Sequence, residues 1–198
     1  MRRGVWVHSA ICGMMMLLVL GLSGCWNPFS PGDGDGNGDP KIDRKSPDHL
    51  LEFFATAYED KDIDRYTESL DDAYTFEFDP LDYDSAGVSA EKPYWGITED
   101  KERTNSMFTS PETKGISMDL SQKMMDWIAD TFYIDAETPV EGFTCVINPT
   151  IDVTIEMTPG EEPVTKQVRK SRLTLAVIRD RKIVGLWTIL KITERVVL

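Results

Sequence analysis

Histidine is almost missing from this chain. His8 and His49 are the two among 198 residues, so chemistry that turns on an imidazole has very little to draw on. Cysteine is nearly as scarce, with Cys12, Cys25 and Cys145. Positive charge is the minority sign: 21 Lys and Arg stand against 34 Asp and Glu, a net charge of −13. An acidic body repels phosphate, which argues against a nucleic-acid binder. The longest apolar run is at the start of the chain. Val5 to Leu22 falls a little short of the roughly 20 apolar residues a membrane-crossing helix needs, and it carries His8 and Ser9.

That run fits a secretory signal better than a spanning helix. Arg2 and Arg3 form a basic head, Met14 to Leu20 is the densest apolar part, and Leu22-Ser23-Gly24-Cys25 follows. A basic head, an apolar run and small residues at a cleavage point are the parts of such a signal. Leu22-Ser23-Gly24-Cys25 resembles the lipobox of bacterial lipoproteins, position for position. The resemblance implies that residues 1–24 are a lipoprotein signal peptide and that the Cys25 sulfur receives a diacylglycerol. Cleavage before Cys25 then exposes an amino group for further acylation. A thiol is the best nucleophile among these side chains. At about 0.8 kcal/mol per buried methylene, two or more acyl chains give lasting attachment where one does not. The expected address is the bacterial cell envelope, lipid-anchored and facing away from the cytoplasm, in the periplasm or at the cell surface. The membrane is then a partner through Cys25.

With Cys12 removed and Cys25 lipidated, Cys145 has no partner for an intramolecular disulfide. Charge is uneven along what remains. Residues 164–198 hold nine Lys and Arg against two acids; residues 25–163 hold ten against thirty-two. Residues 25–45 read as a flexible tether, because Pro28, Pro31, Pro40 and the run from Gly32 to Asp39 offer almost nothing to bury. Asp33, Asp35, Asn37 and Gly38 match the first half of a calcium loop. The match then fails at Pro40 and Lys41, and the twelfth position is Arg44 where an acid is needed, so the tether is the favoured reading.

Residues 46–198 are enough for one domain that folds on burial alone. Ser46-Pro47 opens a helix whose apolar face is Leu50, Leu51, Phe54, Ala57 and Tyr58. Asp62 caps a second helix with Ile63, Tyr66 and Leu70 inward. Tyr74, Phe76 and Phe78 alternate as a strand. Residues 79–93 have no period and read as a loop. Thr98 is the expected cap of a third helix, with Glu99 and Asp100 near its positive end and Met107 and Phe108 toward the core. Ile116, Met118 and Leu120 mark another strand. Residues 122–133 fit either a helical turn or a strand edge. Ile151 to Met157, Val164 to Ile178 and Ile183 to Thr193 read as strands. Both faces of the last are apolar, as in a central strand, and a bulge is expected between Val168 and Leu173.

This order of elements, with Leu51-x-x-Phe54-x-x-Ala57-Tyr58, Asp62-x-x-x-Tyr66 and Leu186-Trp187-Thr188-Ile189, resembles the nuclear transport factor 2-like superfamily, which includes SnoaL-like and ketosteroid-isomerase-like proteins. The resemblance implies an α+β fold: a cone-shaped, strongly curved antiparallel sheet wrapped around about three N-terminal helices, with a cavity at the open end. The final hairpin departs from the family, turning on Asp180-Arg181 where Asp-Gly is common. The family's catalysts do not carry over. An isomerase needs a cavity carboxylate and a Tyr or protonated Asp as oxyanion donor, the dehydratase set needs a histidine, and no Asp-Arg-Asp relay can be placed. His49 suits a solvated or capping role. No catalytic residue, cofactor or metal is assigned.

Tyr58, Tyr66, Trp95 and Trp187 are the candidate pocket residues, with Trp127 also considered; the competing role for each is core packing. Tyr66 and Trp95 lead because each has a polar handle. Lys166, Arg169, Lys170 and Arg172 form a basic set. Anion or headgroup capture is one role for it. Cross-strand pairing of Glu156 with Lys166 and Asp152 with Lys170 is the favoured one. Three functions remain: a non-catalytic domain binding a small apolar ligand or a protein partner, an isomerase- or hydrolase-type cavity enzyme, and a homodimerising assembly module. A buried Asp or Glu facing Tyr at the base of the cavity would favour the enzyme.

Overall fold

The computed structural model describes residues 43–135, 137–156, 160, 162–167 and 171–197. Cys25, the signal and the tether up to residue 42 lie outside them, as do Arg169 and Lys170. Ser46 caps helix α1 (Pro47–Glu59), its hydroxyl accepting the His49 N–H. Leu50, Leu51, Phe54 and Ala57 are the buried face. Asp62 caps α2 (Ile63–Glu68) by accepting the N–H groups of Asp64 and Arg65, and α2 buries Tyr66. Strand β1 (Leu70–Glu77) follows. Residues 79–93 hold a 3-10 turn (Pro80–Asp82) and one helical turn (Tyr83–Ala86). The short β2 (Tyr94–Gly96) pairs with the end of β1, Trp95 opposite Phe76.

Helix α3 (Ile97–Thr109) starts before the expected cap at Thr98. Gly96 is its N-cap, and the Glu99 carboxylate turns back to accept the Gly96 N–H. The remaining strands are β3 (Thr113–Asp119), β4 (Lys123–Tyr133), β5 (Pro139–Ile147), β6 (Thr150–Ile155), β7 (Val164–Gln167), β8 (Ser171–Arg179) and β9 (Trp187–Val196). Six strands form one sheet in the order β2-β1-β9-β8-β5-β4, and three form another, β3-β6-β7. Among the described ladders only β1–β9 is parallel. Register breaks in the β1–β9, β4–β5 and β8–β9 ladders bend the strands, as bulges do. The α+β fold with a strongly curved, mainly antiparallel sheet against N-terminal helices is the predicted one.

Several local expectations change. Residues 123–133 are the edge strand β4. Two register slips, at Met125 and before Ile128, disturb the two-residue alternation and leave apolar spacing that looks helical. Strand β5 has no counterpart among the predicted elements; its Glu141-Gly142 centre is poor strand sequence. Gly142 is there for space, since a Cβ would collide with the Val177 carbonyl and the Phe132 ring. The predicted single strand from Val164 to Ile178 is two strands in different sheets, and the expected bulge site includes residues outside those described. Of the expected charge ladder, the Glu156–Lys166 pair does not form, and Lys170 lies outside the described residues. Val153 stands opposite Lys166 and Asp152 opposite Gln167, while Glu156 pairs with Lys114 and accepts the Gly160 N–H.

The last strand begins at Trp187, four residues later than expected. Asp180 accepts the N–H groups of Lys182 and Ile183 and Gly185 adopts φ +90°, so residues 180–186 form a loop with Val184 fully exposed. β9 is central, as its two apolar faces implied, but a bulge at Leu190 sets Val177 opposite Ile189 and Ala176 opposite Lys191. Trp187, Ile189 and Ile192 thereby join one core with Leu50, Phe54, Tyr66 and Leu175. Arg44, assigned to the tether from sequence, belongs to the body. It is 4% exposed, ion-paired to Asp180 at 3.2 Å, and donates to the Trp187 carbonyl.

Candidate functional site

A cavity of about 370 Å³ opens between α1, α3 and strands of both sheets. Its walls are mostly apolar, from Phe54, Phe76, Phe78, Ile116, Leu175 and Ile192 among others. Helix α3 contributes Asp100, Arg103, Thr104 and Met107. Their spacing of three, four and seven puts all four on one helical face.

Asp100 is 5% exposed. It accepts a hydrogen bond from the hydroxyl of Tyr66, a buried side chain of α2. Loss of water raises the Asp100 carboxyl to about 6, and the Tyr66 hydrogen bond opposes part of that rise. Tyr58 and Tyr74 complete the cluster. Burial pushes all three tyrosines upward, and the Asp100 charge pushes them further. The Tyr74 hydroxyl is buried beside that of Tyr66 and makes no hydrogen bond of good geometry with a described residue. Buried polar groups of this kind are rare in native proteins, and this one belongs to a side chain lining the cavity. A carboxylate that titrates near neutrality beside a hydroxyl donor can anchor a polar atom or move a proton.

No family model and no curated protein matches this sequence. Among solved structures, a protein assigned as a dehydratase of the NTF2-like family from Streptomyces avermitilis superposes with a TM-score of 0.51 at 14% identity. The match covers 80% of this chain and 99% of that one. The fold is nuclear transport factor 2-like. The Kfla4162 protein of Kribbella flavida agrees, with a TM-score of 0.50, 12% identity and coverage of 79% and 91%. An NTF2-like superfamily protein from Salmonella enterica has a TM-score of 0.48 and 8% identity, over 75% of this chain and 87% of that one. At identities this low the superpositions at TM-scores of 0.50 and 0.51 show the fold alone, and the chemistry is left to the cone's own residues.

Of the predicted pocket residues, Tyr58 and Trp95 line the cavity of the cone. Tyr66 stands behind the wall, joined to it through Asp100. Trp187 is elsewhere: it packs on Phe143 at 5.4 Å and lies under the Arg179 guanidinium at 4.1 Å. Trp127 is on β4, donating to Asp48. His49 is exposed, 3.7 Å from Asp43. Cys145 is fully buried, and burial pushes its thiol up to about 12. Among the described residues there is no cluster of metal-binding side chains and no helix long and apolar enough to cross a membrane.

Asp100 is the residue that the sequence reading passed over, assigning it to the helix dipole. The signal was there: it lies seven and eight residues before Met107 and Phe108, on the stripe already assigned to the core.

Proposed function

We propose that this protein is a lipid-anchored envelope protein whose cone domain binds a small, mainly apolar molecule, with Asp100 and Tyr74 as polar anchors for it. The observation that carries this is the cavity itself. Its volume lies in the range of roughly 300–1,000 Å³ typical of ligand sites, and its apolar walls hold one buried carboxyl and the buried Tyr74 hydroxyl. The anchor rests on the Leu22-Ser23-Gly24-Cys25 motif. The intact mass of protein extracted from membranes tests it: loss of 24 residues and a diacylglycerol on Cys25 are expected, and a full-length chain with a free Cys25 thiol contradicts it. Native mass spectrometry of the same material should show a retained molecule, or uptake of an added apolar ketone. A cavity that takes up no apolar probe contradicts the binding role.

The Asp100–Tyr66 hydrogen bond supports a second reading, a proton-transfer enzyme. A buried acid facing Tyr is what a proton-transfer site requires. Deuterium uptake next to the carbonyl of a bound ketone, abolished in Asp100→Asn, is the expected result. Uptake unchanged in that variant, or absent from the parent protein, leaves binding as the function.

A further inference from the structure

One turn beyond Asp100, Arg103 lines the same cavity but stands at its exposed edge. It is the one cation among the described residues of the cavity wall, in a chain with net charge −13. It makes no contact ion pair or hydrogen bond with another described side chain, and the Glu99 carboxylate one turn earlier feels its charge from further off. Its guanidinium instead lies over the Trp95 ring, 4.5 Å from the ring centre. Trp95 is fixed in turn, donating to the Ala86 carbonyl at 3.1 Å and packing edge-on against Phe78 at 4.5 Å. Stacking holds a guanidinium in place by its face and leaves the donors on its rim free, the geometry that grips carboxylate or phosphate.

Arg103 and Trp95 also form the near wall of a second recess, of about 270 Å³, lined further by Ser89, Lys92, Tyr94 and the Glu99 carboxylate. Lys92 is committed there to Glu99, at 2.9 and 3.1 Å. That leaves Arg103 as the cation of the recess with no described carboxylate at ion-pair distance. The interior of the cavity is opposite in character. Its carboxylates are the buried Asp100 and the half-buried Glu194, the latter accepting from Ser171 at 2.5 Å. An anion is disfavoured inside and favoured at the Arg103 rim.

We infer that the ligand is an amphiphile with an apolar body and a single anionic head, carboxylate or phosphate, its body in the cavity and its head on Arg103 in the adjoining recess. This rests on the binding role proposed above and adds the head group and the orientation.

The test uses membrane-purified protein in nanodiscs of neutral lipid, titrated calorimetrically with octanoate, octyl phosphate and 1-octanol against empty nanodiscs. One charge-assisted hydrogen bond should make the better anion bind about tenfold or more tightly than octanol. Whichever anion binds more tightly identifies the head. Arg103→Gln should bring both anions down to octanol while octanol itself is unchanged, and Arg103→Lys should recover part of the difference. Equal binding of octanol and the anions, or a preference that survives Arg103→Gln, overturns the assignment and leaves the cavity reading standing. Binding of none of the three removes both.

Discussion

Among the described residues, carboxylates are buried around the 180–186 loop and in the cavity, and the two places treat them differently. Around the 180–186 loop, every acid has a cation. Asp180 is held by Arg44, and Asp71 by two donors of Arg181; the more exposed Asp72 is held by Lys182. These pairs fasten the turn before β9 to the start of β1 and to the chain entering α1. In the cavity, Asp100 is as buried as Asp71, both 5% exposed, but its contact is a tyrosine hydroxyl. The first arrangement satisfies charge and leaves little for a ligand to gain. The second keeps an acid at the edge of ionisation beside open space. Burial alone therefore does not tell these acids apart; the absence of a contacting cation and the facing cavity do.

The comparison can be broken from either side. Arg44→Ala should have the largest effect, because it takes the cation from a buried Asp180 carboxylate and leaves it the N–H groups of Lys182 and Ile183. Losing one partner of a buried pair costs about 3–5 kcal/mol, and a fall of that size in urea-unfolding stability is expected. A loss under about 1 kcal/mol would mean the pair is solvated and not structural.

Asp100→Asn should act through pH. The folded carboxyl is raised from 3.8 to about 6, so its contribution to stability is fully present below the unfolded value and is lost as pH rises through the folded one. At 1.36 kcal/mol per unit, the parent protein should lose roughly 3 kcal/mol relative to the Asp100→Asn variant between about pH 4 and 7. Parallel stability curves for the two proteins would contradict the shift. Tyr66→Phe removes the hydroxyl that favours the charged carboxylate. It should cost about 1–2 kcal/mol near neutral pH and move the Asp100 titration upward. A downward movement would mean that another group is the donor. Lys182→Ala, at an exposed pair, should leave the melting midpoint unchanged within error, since such pairs contribute little. A clear drop would extend the buried buckle to the surface.

What the sequence made legible was what neighbours in the chain decide. The caps at Ser46 and Asp62, the apolar face of α1 and the alternation of Ile116 and Met118 all rest on local chemistry. What it hid depends on distant partners. The bulge at Leu190, opposite Ala176 and Val177, cannot be seen in β9 alone. Residues 164–178 looked like one strand because nothing local says that the chain changes sheets. Arg44 looked like tether because its partner lies 136 residues away. Asp100 looked like a dipole-compensating acid because burial depends on what faces it, and Tyr66 is 34 residues earlier. The polar handle of Tyr66 was seen; the acid it serves was not.

The central claim is that Asp100 is a desolvated acid in a cavity that accepts a ligand. A carbon-13 NMR titration of its carboxyl, with and without an apolar ketone in the cavity, tests this most directly. The account expects a midpoint near 6 in the free protein that moves when the ketone binds. A midpoint near the ordinary value of about 4, indifferent to the ketone, would contradict it.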